Sequence, residues 1–147
     1  MLPPSPYAWN GLNQGCGDVV LYDVSLSGQR LLVASFGRAN VGLAKAGDTV
    51  TVDLATGKAS VRLDVYASGL TELPVCNDVG VHQSPISTAR AVSGSLTVTL
   101  ETVPAAPGET FYVSAHLSNV QVRNANGALE MIQDDDFKHV LVGWYAG

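Results

Sequence analysis

The stretch DTVTVDLATGKASVRLDVYA, Asp48 to Ala67, decides the fold class. Val50, Val52 and Leu54 alternate with Thr49, Thr51 and Asp53. After the turn residues Ala55-Thr56-Gly57-Lys58, Val61, Leu63 and Val65 alternate with Arg62, Asp64 and Tyr66. Successive side chains of a strand point to opposite faces, so this period of two marks strands with one dry and one wet face. Two such runs around a short turn read as an antiparallel hairpin.

The same period extends both ways along the chain. Val20, Tyr22, Val24 and Leu26 alternate with Leu21, Asp23 and Ser25, and a more uniformly apolar run follows from Arg30 to Phe36. Leu96, Val98 and Leu100 form another dry face, as do Phe111, Val113, Ala115 and Leu117. Val120 and Val122 then fall on even positions. A one-residue slip sends every later side chain to the other face, so a β-bulge or kink is expected near Ser118-Asn119, where the strand changes sheet. Asn126-Gly127 predicts a tight turn into Ala128–Ile132, and a last strand runs from about Lys138 to Tyr145. Pro74 marks an edge or loop. The stretch from Asn77 to Gly94 is rich in Asn, Asp, Gly, Ser and Pro and reads as the longest irregular segment, with a helical turn near Thr88 to Val92. A second helical turn fits within Ala39 to Gly47. No segment has the pattern of a long amphipathic helix. The expected fold is all-β: an antiparallel β-sandwich, immunoglobulin-like or jelly-roll-like, of about 8–9 short strands. Residues 1–15, with Pro3, Pro4 and Pro6, read as an extended arm carrying Tyr7 and Trp9; residues 16–147 read as one sandwich domain.

A chain of 147 residues suits one domain and can bury an adequate core without metals. Charged residues make up 14%, against about 25% in ordinary proteins. The net charge of −5 and five scattered arginines argue against nucleic acid, which demands clustered cations. No apolar run has the length of a membrane helix, and the first residues lack the pattern of a signal peptide. Cys16 and Cys76 allow one disulfide closing a 60-residue loop, which implies an oxidising compartment: extracellular, periplasmic or cell-surface.

Three groups of residues are candidate sites. Asp134-Asp135-Asp136 places three carboxylates side by side, a repulsion that a hard cation such as calcium relieves; Asp78 could add a ligand. The alternative is a solvated turn that guards strand edges. Trp144, Tyr145 and Trp9 could form a stacking platform for sugar rings, extended by Tyr66 and Tyr112 on wet strand faces. His82, His116 and His139 lack metal-ligand spacing. No nucleophile elbow, zinc-protease helix or phosphate loop occurs. The resulting expectation is a non-catalytic secreted or cell-envelope binding or assembly module. Its partner would be a protein or a second copy, engaged through the N-terminal arm or a strand edge. The alternatives are a carbohydrate-binding module with structural calcium and, third, a small extracellular enzyme.

Overall fold

The structure is a computed structural model and describes residues 2–11, 14–77 and 83–145. Asp78 and His82 lie outside the described residues. The described chain is all-β and antiparallel, as the period of two requires. Its strands are β1 (Gln14–Cys16), β2 (Val20–Val24), β3 (Arg30–Ser35), β4 (Thr49–Asp53), β5 (Ser60–Val65), β6 (Ser87–Leu100), β7 (Phe111–Asn124), β8 (Leu129–Met131) and β9 (Asp135–Val142). One helical turn, α1 (Arg38–Val41), falls at the start of the segment expected to hold one.

All nine strands belong to one hydrogen-bonded sheet with two wings. In the first wing the order is β1-β2-β3-β5, then the first half of β6, the second half of β7, and β8. In the second, β4 pairs with the second half of β6, and β9 pairs with the first half of β7. The two long strands β6 and β7 therefore run through both wings. They bend where their register slips between Ala91 and Ser95. Opposite that slip, Asn119 has a φ of 53°, so the bulge expected from the phase change at Ser118-Asn119 is present. Gly94 makes the bend possible: its φ is +114°, and a Cβ there would stand 2.7 Å from Val120 Cα.

One main core takes residues from both wings: Leu21, Leu32 and Leu63 from the first, Val52, Phe137 and Val140 from the second. The alternating residues read from Asp48–Ala67 point into it as expected, with Val52, Leu54, Val61 and Leu63 buried. The hairpin reading of that stretch is corrected, however. β4 and β5 do not pair with each other; each pairs with a different half of β6. Alternation reports that one face is dry and is silent about the neighbour. Between the two strands, a 3-10 turn at Leu54–Thr56, capped by the Asp53 carboxylate on the Ala55 N–H, carries the chain from one wing to the other.

Two further readings change. Ser87–Leu100 is one strand, so there is no helical turn at Thr88 to Val92. In addition, β2 is buried on both faces. Leu21 and the carboxylate of Asp23 face the main core, while Tyr22 and Val24 join Leu31, Val33 and Tyr66 in a second cluster on the outside of the first wing. That cluster is roofed by the irregular segment after β5, through Leu70, Leu73, Val75 and Cys76. The expected disulfide, Cys16–Cys76, pins the end of this strap to β1, with the two Cα atoms 5.8 Å apart. Tyr66, assigned above to a wet strand face, is 3% exposed because the strap covers it.

Candidate functional site

The seam between β1 and β9 is where the two wings meet at one end of the molecule. The Gly17 N–H donates to the Trp144 carbonyl and the Gly143 N–H donates to the Gly17 carbonyl, each at 2.8 Å. Both glycines have positive φ, 59° and 89°, and a Cβ on Gly143 would meet the Glu109 carbonyl oxygen at 2.7 Å. Only glycine fits such a position without strain. Cys16, next to Gly17, carries the disulfide. The backbone under Trp144 and Tyr145 is therefore held on a rigid mount.

The two aromatic rings serve two different depressions. Tyr145 is 72% exposed and lines a cleft of about 620 Å³ with Val19, Phe36, Asn40, Lys58 and Ser60. Hydroxyls and amides line this cleft beside apolar carbon. Ser35 and Ser60 share a hydrogen bond at 2.8 Å, and the Asn40 amide donates to the Lys58 carbonyl at 3.3 Å. At its rim, Arg38 Nε meets Asp18 Oδ1 at 3.0 Å. Trp144, half-buried, lines a groove of about 320 Å³ with Gln14, Gly15, Tyr22, Val140 and Leu141. Its indole N–H donates to the Leu141 carbonyl at 3.3 Å, and the Tyr22 hydroxyl meets Gln14 Oε1 at 2.6 Å.

Beyond Leu141 lies its cross-strand partner Tyr112. The Tyr112 ring stacks on His139 with centroids 3.9 Å apart and planes 5° from parallel. His139 Nδ1 contacts Glu101 Oε1 at 3.0 Å. The outer surface of the second wing next to the seam thus presents Tyr112 with His139, then Leu141, then Trp144. Of the five aromatic residues read from the sequence as a platform, Trp144, Tyr145 and Tyr112 come to this end. Tyr66 is buried under the strap, and Trp9 packs against the main core, its indole donating to the Gln133 carbonyl at 2.9 Å. His139 and Leu141 are additions that no motif announced.

The three adjacent carboxylates separate according to strand alternation. Asp136 points outward and meets His116 Nδ1 at 2.6 Å. Asp134, also exposed, accepts from the Asn119 N–H in the bulge at 3.1 Å. Asp135 turns inward and is 7% exposed, where it meets the fully buried Asp23. Among the described residues, no three His, Cys, Asp or Glu side chains gather as ligands of one ion. Burial first, and then a hydrogen bond and repulsion from Asp23, push the Asp135 carboxyl up to about 8. Asp135 Oδ2 is buried and has no hydrogen-bond partner, and the Asp136 N–H, which favours the ionised carboxyl, offsets only part of the rise. Asp23 in turn accepts from the Gly11 N–H at 3.1 Å and from the Val24 N–H at 2.8 Å.

Compared with known proteins, the chain matches no family model, no curated protein and no solved structure.

Proposed function

We propose that this chain is a non-catalytic binding module, secreted or held at the cell envelope, that seats a glycan against Tyr145 and Trp144. The observation that carries the proposal is the exposure of Tyr145, 72%, next to Gly143 and Trp144, whose backbone is pinned by two hydrogen bonds to Gly17, the residue after β1. An aromatic ring left in water has a cost that a stacked ligand relieves, and a rigid mount lowers the entropy lost on binding. Hydroxyl and amide groups in the adjoining cleft suit the polar edge of a sugar ring. The disulfide supports an oxidising compartment.

The test is a glycan array followed by calorimetry on the best ligand. Tyr145→Ala and Trp144→Ala should each weaken binding by about two- to tenfold, the worth of one stacking contact. Undiminished affinity in the double variant would defeat the proposal. A second reading, self-assembly through a strand edge, is favoured by β4, which has β6 as its one strand neighbour among the described residues. Under it, Thr51→Lys should convert an oligomer to a monomer in light scattering, because charge on an open edge blocks strand addition.

A further inference from the structure

The N-terminal segment lies across the body of its own molecule. The Ser5 N–H donates to the Met131 carbonyl at 2.6 Å, and the Gln133 amide donates to the Ser5 carbonyl at 2.6 Å. Tyr7 covers the guanidinium of Arg30 at 3.6 Å, and the Asn10 N–H donates to the Val24 carbonyl at 2.7 Å. At the end of this run, the Gly11 N–H is held by both oxygens of Asp23, at 3.1 Å each. Behind Asp23, on β9, stands Asp135. Trp9, Gly11 and Asp135 line one open cleft of about 390 Å³ together with Asp134, Asp136 and Lys138.

We propose that the Asp23–Asp135 carboxyl pair is a proton-held clasp, and that loss of its shared proton in alkaline solution unseats the stretch from Trp9 to Gly11. Two carboxyl groups in contact inside a protein cannot both ionise without hydration. When the second charge forms, water must reach it, and the open cleft beside Trp9 is the route. The surrounding charges do not prevent this. From β9, Asp134 and Asp136 add negative charge, while Lys138 lines the same cleft from an exposed position. From β7, His116 faces Asp136 and Asp134. Arg30 on β3 is engaged by Glu130 of β8 at 2.7 Å. The remaining contacts of the segment, at Pro4, Ser5, Tyr7 and Ala8, whose carbonyl accepts from the Leu26 N–H at 3.0 Å, do not involve the pair, so the opening is local to Trp9–Gly11.

The measurement is a pH titration from 5 to 9.5 of the intact chain by nuclear magnetic resonance. It follows the Trp9 indole N–H resonance and the solvent exchange of the Gly11 amide. The wild type should show a single step in both signals with a midpoint near the value of about 8 to which Asp135 is pushed. Asp135→Asn, which keeps a donor and cannot ionise, should abolish the step and leave Trp9 seated throughout. Asp23→Asn, a second route to a pair with one charge, should do the same if the first variant folds poorly. His116→Gln should leave the step in place. A wild type with no step, a step unchanged in both Asn variants, or a step removed by His116→Gln would each overturn the clasp.

Discussion

Gly94 and Gly57 both have positive φ, +114° and +79°, yet they predict different outcomes on substitution. A Cβ at Gly57 meets nothing within 4 Å, so Gly57→Ala bears only the backbone penalty, on the order of 1 kcal/mol. At Gly94 the new atom would sit 2.7 Å from Val120 Cα and 2.8 Å from the Asn119 carbonyl oxygen, both backbone. Gly94→Ala should therefore cost about 3 kcal/mol or more, read as a lower urea midpoint. Asp135 gives a prediction in pH. Its folded value, about 8, lies above its ordinary 3.8, so the folded state binds more protons between those limits. Stability from this group is then greatest in acid and declines as pH rises from about 4 through about 8. Subtracting the unfolding free energies of Asp135→Asn from those of the wild type at each pH should recover this falling slope. The bulge at Asn119 could be read from the chain, because a phase slip is a property of adjacent residues. Asp23 could not. Its neighbours Val20, Tyr22 and Val24 outweigh it as the dry face, and only the strap, distant in sequence, shows that both faces are covered.

Among the elements, the strap after β5 depends most on one bond. Joining Cys16 to Cys76 closes a 60-residue loop, worth about 4 kcal/mol in chain entropy. The double variant Cys16→Ser/Cys76→Ser should lose stability of that order. It should also bind a fluorescent apolar dye more strongly than the wild type, as Tyr22, Val24, Leu31, Val33 and Tyr66 lose their roof. The cysteine pairing was legible because two cysteines allow one intramolecular bond. The strand pairing was less so. The hairpin expected around Ala55–Lys58 had the right alternation and the wrong partners, since β4 and β5 each find β6. The first half of β6, Ser87 to Ser93, has small and polar residues with mixed burial, so nothing in its period distinguished it from a loop.

For the whole molecule, the N-terminal segment, which with a strand edge was one of the two expected routes to a partner, is bound to its own body across Met131, Gln133 and Asp23. Pro4 forms a bridge with Met131 on β8, the outermost strand of the first wing. Deleting residues 1–11 should therefore increase association in light scattering, because it uncovers the β8 edge and the apolar seat of Trp9. An arm that joined copies together would give the opposite sign. The aromatic end of the molecule was partly legible: Trp144 and Tyr145 are adjacent in sequence, whereas the Tyr112–His139 stack depends on the register of β7 with β9.

The passage of β6 and β7 through both wings carries a consequence for how the fold comes apart. A structure whose halves had separate strands could melt one half while the other persisted. Here the same two backbones supply hydrogen bonds to β5 and β8 at one end and to β4 and β9 at the other. Deuterium uptake under native conditions should therefore give Leu63 and Phe137, one from each half, the same opening free energy, as members of one cooperative unit.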